Sequence, residues 1–132
     1  MVWKNLPLSF HPNAMPAAMA AMAANEQGKF WDMHDKIFAN QQKMNRDQYI
    51  AYAKELKLDV GTFTKSLDAA ALKAHIEADM ADAGKLGVSG TPGFFVNGKF
   101  LSGAKPFAEF ATAINAELKR LNLPIPSGAP AS

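Results

Sequence analysis

The 132-residue sequence predicts an α/β chain in which a small sheet is covered by helices. Three observations carry this. A short alternating apolar segment opens the chain at Val2–Leu8. Apolar side chains at helical spacing then dominate as far as Leu86. The period changes to two at "FFVNGKFL", Phe94 to Leu101, before a last helical stripe runs from Phe107 to Leu121.

Val2–Leu8 reads as a strand with Val2, Lys4, Leu6 and Leu8 on one face, and Pro7 ends it or holds it at an edge. Ala14–Ala24 is rich in the best helix former, with Asn13 as a candidate cap and Met15, Met19 and Met22 at helical spacing. Gly28 stops that helix. Phe30, Trp31, His34 and Phe38 lie along a second helix. Asn45 with Gln48 three residues on approximates a capping box for "RDQYIAYAKELKL". A short helix follows over Val60–Leu67. Asp68 is placed to cap a helix over Ala69–Leu86, whose stripe is Leu72, Ile76, Met80 and Ala83. Asn97-Gly98 supplies the positive φ angles of a type I′ hairpin turn, and Pro106 suits the start of the last helix. The Pro/Ser/Ala-rich end, 123–132, is expected to be a disordered tail.

The totals set limits. The chain is 48% hydrophobic and 20% charged, with a formal net charge of +2, too small to argue for nucleic acid or an anionic membrane as partner. No apolar run approaches the roughly 20 residues of a membrane span, and the opening residues lack the pattern of a signal peptide. The cysteine count of 0 removes disulfides, thiolate catalysis and cysteine-ligated metal.

"GVSGTPGFFVNGKF", Gly87 to Phe100, places Thr91-Pro92 directly before the hairpin. Gly90-Thr91-Pro92-Gly93 is rich in turn formers, and only about 5–6% of X–Pro bonds are cis in folded proteins, so the residues alone favour an ordinary turn. The alternative is a cis proline that turns the backbone N–H and C=O of Thr91 outward, where an extended peptide pairs as an added strand.

"GVSGTPGFFVNGKFLSGAKPFAEF" resembles the end of the DsbA-like thioredoxin-fold oxidoreductases. "PLSFHPNAMPAAMAAMAANEQGKFWDMHDKIF" resembles them too, through its Pro-Leu at a strand end, its Ala-rich helix, and Gln27 to Trp31 followed by His34 and Phe38. The resemblance covers about Val2 to Leu121. It implies a thioredoxin-like domain over 1–122, with a DsbA-type helical insertion at about 30–86 and a small mixed sheet. It also implies that Pro92 is the cis proline of the fold, that Gly90, Thr91 and Pro92 form the substrate-binding loop, that partners are extended or unfolded polypeptides, and that the compartment is periplasmic or otherwise extracytoplasmic.

The sequence departs from the family at its start. Family members open with a strand and a Cys-x-x-Cys at a helix N-terminus, and neither is present, so the expected fold is an incomplete one. Thiol–disulfide exchange needs a thiolate, and the chain is therefore expected to be redox-inactive, with no catalytic residue, no cofactor and no metal. The central strand of the sheet goes with the missing unit. Two arrangements then follow: Val2–Leu8 pairs directly with the hairpin, or two chains complete a sheet as a homodimer. Truncation is the favoured origin, with a natural cysteine-less relative as the other.

Other constellations read more plainly. The three histidines, His11, His34 and His75, match no local ligand spacing. The Met15/Met19/Met22 stripe and the Trp31/Phe38 pair are read as packing. No Gly-x-Ser-x-Gly elbow is present, and Pro92 removes an N–H that a phosphate loop would use. Three readings remain: a portion of a DsbA-like oxidoreductase, a cysteine-less module that binds peptides or a partner protein, and a folded fragment with no function of its own.

Overall fold

A computed structural model describes residues 1–126. Residues 127–132, most of the expected tail, lie outside the described residues, and 123–126 carry no regular secondary structure. Among the described residues there are six helices and two strands: α1 (Ala14–Asn25), α2 (Phe30–Ala39), α3 (Arg46–Glu55), α4 (Val60–Ser66), α5 (Ala70–Lys85), β1 (Gly93–Val96), β2 (Lys99–Ser102) and α6 (Phe107–Arg120). The fold is therefore α/β, as expected. Among the described residues no helix is long and apolar enough to cross a membrane. The chain falls into two compact units, Met1–Gly87 and Val88–Ser132.

The first unit is helical, and α1 contacts each of α2, α3, α4 and α5. Its alanines make this possible. Ala20, Ala23 and Ala24 are fully buried, so neighbouring helices approach the α1 backbone closely without losing side-chain packing. Met19 and Met22 fill the remaining space, with Met15 partly buried against them, so the methionine stripe is core. Met33, Tyr49, Phe63 and Ile76 are the largest fully buried side chains. The stripe read for α5 is partly covered: Leu72 and Ile76 are buried, and Met80 is half-buried against the core.

Helix starts follow two patterns. Asn45 accepts the Gln48 N–H at 2.9 Å and caps α3 as expected. Asp59 accepts the Thr62 N–H at 2.6 Å and caps α4, a cap the sequence reading overlooked. Asn13 and Asp68 do not act as the expected caps. Asp68 instead forms a two-pronged pair with Arg46, at 2.8 and 2.6 Å, and so ties the start of α3 to the turn before α5. The Gln27 side chain imitates a backbone unit. Its Oε1 accepts the Asp59 N–H at 2.8 Å and its Nε2 donates to the Asp59 carbonyl at 3.2 Å, which pins the α1–α2 turn to the start of α4.

The expected strand at Val2–Leu8 does not form. Val2, Trp3 and Lys4 are exposed, and from Asn5 onward Asn5 and Pro7 are buried while Leu6 and Leu8 are half-buried. A strand is defined by its ladder, however, and the segment has no ladder partner among the described residues. Its one backbone-to-backbone bond among the described residues is from the His11 N–H to the Leu8 carbonyl, 3.0 Å. Among the described residues the sheet consists of β1 and β2, and it is antiparallel, not mixed.

In the second unit, Phe94 pairs with Leu101 and Phe95 with Phe100 across the hairpin. Asn97 and Gly98 have φ of 49° and 84°, the left-handed pair that an Asn-Gly hairpin turn requires. Helix α6 packs on β1 through an edge-on contact of Phe110 with Phe94, ring centroids 4.7 Å apart. Two strands are too narrow to cover the whole apolar stripe of α6, and Phe107, Ile114 and Leu121 remain 77%, 44% and 48% exposed.

Replacing Phe63, which is fully buried at the centre of the helical unit, by Ala is expected to cost about 3–5 kcal/mol through lost transfer energy and the cavity left behind. Denaturant unfolding followed by far-UV circular dichroism measures this.

Candidate functional site

The loop Gly90-Thr91-Pro92 leads into β1, and all three residues are exposed. The Thr91–Pro92 peptide bond is cis. The Pro92 carbonyl accepts the Gly103 N–H at 2.9 Å, which closes the base of the hairpin and fixes where the loop emerges. Neither the N–H nor the C=O of Thr91 enters a hydrogen bond with another described residue. A Cβ added at Gly90 would meet nothing within 4 Å, so this chain's own packing does not demand glycine there.

Gly93 is different, and sequence reasoning missed it. A Cβ there would lie 3.1 Å from Phe100 Cε2 and 3.2 Å from Val88 Cγ1. The Phe100 ring rests over this glycine while pairing with Phe95 at a centroid distance of 5.0 Å. The first residue of β1 is thus bare so that the rings beside the loop can settle.

The hairpin is held to α6 by one carboxylate. Glu117, only 6% exposed at its side chain, accepts from Asn97 Nδ2 and from Arg120 Nε, both at 2.9 Å. Lys99 Nζ lies 2.6 Å from Oε1, an ion pair by distance although the approach does not satisfy hydrogen-bond geometry. Lys99 first, then Asn97 and Arg120, hold the Glu117 carboxyl down from its ordinary 4.5 to about 2. The turn residue Asn97 therefore has two roles: it sets the hairpin's twist and it donates to α6.

The histidines do not converge. His11 lies against Phe10, His34 stacks on Phe38 with centroids 4.4 Å apart, and exposed His75 has Nε2 3.8 Å from Asp79 Oδ2. No group of three or more His, Cys, Asp or Glu side chains able to hold a metal is assembled among the described residues. In the helical unit an open cleft of about 370 Å³ is lined by Trp3, Met22, Phe30, Trp31 and His75, among others. Trp31 stands edge-on to Trp3 and Phe30 and Trp3 lies tilted on Phe30, with centroids 4.9–5.7 Å apart, so they fill space between one another and do not frame a ring-sized slot.

Two outcomes are expected here. Gly93→Ala pushes the Phe100 ring aside and weakens the hairpin by about 1 kcal/mol, seen as faster amide exchange in β1 and β2 with the helical unit unchanged. The Glu117 clasp is fully present above the ordinary carboxyl value of 4.5 and is lost as pH falls toward 2, because its folded-state pKa is the lower one. Hairpin amide protection measured across that range falls in the native chain and is flat in Glu117→Gln.

Comparison with known proteins gives a consistent answer. A family model described as "DSBA-like thioredoxin domain" matches residues 2–115. Among curated proteins, the chain is 39% identical over 116 residues to the Na(+)/H(+) antiporter NhaA 1 of Salinispora arenicola, covering 87% of this chain and 18% of that protein. It is 44% identical over 99 residues to NhaA 3 of Salinispora tropica, covering 74% of this chain and 15% of that protein. It is 42% identical over 97 residues to NhaA of Herminiimonas arsenicoxydans, covering 74% of this chain and 16% of that protein. The chain thus spans less than a fifth of the length of these relatives. No solved structure matches it. With a match that runs from Val2 to Asn115, the chain belongs to the DSBA-like thioredoxin domain family, a thiol–disulfide oxidoreductase-like family, and carries no cysteine.

Proposed function

We propose that this chain is a portion of a DsbA-like thiol–disulfide oxidoreductase that keeps the substrate-docking loop and lacks the reactive sulfurs. The observation that carries the reading is the family match over residues 2–115 in a chain with no cysteine. Thr91 is the docking residue: its exposed, unbonded N–H and C=O suit an extended polypeptide that adds to the loop as a strand. Pro92 sets the loop's course, and Gly90 leaves room for close approach. The substrate class is extended or unfolded polypeptide, and the compartment is extracytoplasmic.

A second reading has its own support. The curated relatives are named Na(+)/H(+) antiporters and are more than five times as long as the matched segment. On this reading the chain is a cysteine-less thioredoxin-like module of a longer protein, and it binds a peptide or partner chain without catalysing exchange. A homodimer that completes a sheet is the oligomer either reading allows, and sedimentation equilibrium measures it directly.

The first test is catalytic. The purified chain is expected to leave the disulfides of a test protein such as insulin unreduced in the presence of dithiothreitol beyond the uncatalysed rate. Measurable turnover would overturn both readings. The second test is docking. An unfolded peptide is expected to shift the amide resonances of Gly90–Val96. Thr91→Pro, which removes the docking N–H, weakens that binding by about tenfold, whereas Thr91→Val, which keeps the backbone, leaves it nearly unchanged. Equal effects of both substitutions exclude backbone docking at Thr91. A Cys-x-x-Cys encoded in frame upstream of Met1 favours the oxidoreductase portion, and a frame without one favours the module.

A further inference from the structure

Asp79 is the buried charged side chain of the helical unit, 2% exposed, and nearly everything that satisfies it comes from one short segment. Lys4 Nζ donates to Oδ1 at 2.8 Å. The Asn5 backbone N–H and Asn5 Nδ2 both donate to Oδ2, at 3.0 and 2.9 Å. His75, on the same helix, has Nε2 3.8 Å from Oδ2. Asp82 enters only through Lys4, whose Nζ lies 3.4 Å from Asp82 Oδ2, and Lys85 faces Asp82 from the other side at 3.3 Å. Helix α1, packed against α5, carries no charged side chain from Ala14 to Asn25.

The segment itself has little else to hold it. Its ladder is absent, as described above. Its other anchor is Trp3, which lies against Phe30, Trp31 and His34 at centroid distances of 5.3, 5.7 and 5.3 Å and donates from Nε1 to Asn5 Oδ1 at 3.2 Å. Trp3 is still 44% exposed, while Phe30 beneath it is 8% exposed. The segment thus lies as a strap between α2 and α5, with an aromatic contact at one end and a carboxylate at the other.

We propose that Asp79 is a charge-gated latch. Ionised, it fixes Val2–Leu8 against α2 and α5. Neutralised, it releases the segment and uncovers Phe30 while α1–α5 remain folded. The chemistry favours local release. A neutral side chain at position 79 no longer attracts the Lys4 ammonium, whose side chain is 59% exposed and can turn to water, so lifting the strap strands no buried cation. The helical core does not depend on the strap: Met33, Tyr49, Phe63 and Ile76 are buried among the helices. Burial pushes the Asp79 carboxyl up, but the bonds from Lys4 and Asn5 together outweigh it and hold the group below the usual carboxylate value. The latch is therefore closed above that value and opens as pH falls below it.

Trypsin reads the latch, because Lys4 lies in the strap. In the full chain, cleavage after Lys4 is expected to be about tenfold faster in Asp79→Asn than in the native protein and faster still in Asp79→Ala. Asparagine keeps an oxygen for Asn5 and loses Lys4, whereas alanine loses both. Cleavage after Lys36, Lys54 and Lys73, which lie within helices, stays at the native rate in both variants. On acidification, tryptophan emission is expected to shift before far-UV ellipticity falls, and this early step is absent from Asp79→Asn. Equal Lys4 cleavage in all three proteins overturns the proposal. So does a parallel rise at the helical lysines, which would make Asp79 a support of the whole unit and no local latch.

Discussion

A carboxylate taken out of water must be surrounded by donors, and two such carboxylates decide how the parts of each unit are joined. Asp79 gathers the opening segment onto α5. Glu117 gathers the hairpin turn and Lys99 onto α6. In both cases the elements to be joined lack the means to join themselves. The opening segment has no ladder, and the hairpin has only two strands, too few for independent stability in water. A buried ion pair is a weak source of net stability, yet removing one partner is costly because it leaves a charge without compensation. Each carboxylate therefore ties together elements that share few other polar contacts.

The helical unit relies on a different economy of space. An alanine-rich helix at its centre gives every neighbour a close approach, and the bulk of the core is supplied from α2 to α5 by Met33, Tyr49, Phe63 and Ile76. Such an arrangement needs few polar contacts to hold it, and those present lie at the joints: Asp59 with Thr62 and Gln27, Asp68 with Arg46, Ser66 with Glu26. They set the order in which the short helices meet, while burial supplies the driving force. The second unit has the reverse balance. Its large side chains, Phe94, Phe95, Phe100 and Phe107, keep at least a third of their surface in water, and its shape depends on the turn, the clasp and the bare Gly93.

Much of this was legible in the sequence, for physical reasons that vary by element. The hairpin was legible because Asn-Gly leaves few other conformations, and the helices because their apolar spacing repeats. The strand at Val2–Leu8 was misread because apolar alternation does not report whether a ladder partner exists, and the face read from it is not the covered one: Asn5 and Pro7 are buried while Val2 and Lys4 are exposed. The Asp68 cap was misread because an aspartate before a helix has two uses, and Arg46, 22 residues earlier in sequence, claimed it. The two buried carboxylates left a signal that went unused. Asp79 falls at helical spacing from Leu72 and Ile76, and Glu117 at helical spacing from Phe110 and Ile114. An acid within an apolar stripe must be partnered, even when its partners lie too far along the chain to be inferred. Gly93 left no signal, since its neighbour Phe100 arrives only through the hairpin's fold.

The loop at Thr91 and the absence of cysteine together define what chemistry remains. Exchange between thiols and disulfides requires a sulfur anion, and no arrangement of these residues supplies one. Docking requires only backbone groups that face outward and are not already bonded. Thr91, whose N–H and C=O have no hydrogen-bond partner among the described residues, is the residue proposed for that role, whereas the Pro92 carbonyl is engaged by Gly103. In the role proposed for it, Thr91 pairs with an extended polypeptide as with an added strand, through that chain's own N–H and C=O. Docking of that kind reads backbone conformation and not side-chain sequence, which is the reason extended or unfolded polypeptide is the substrate class proposed.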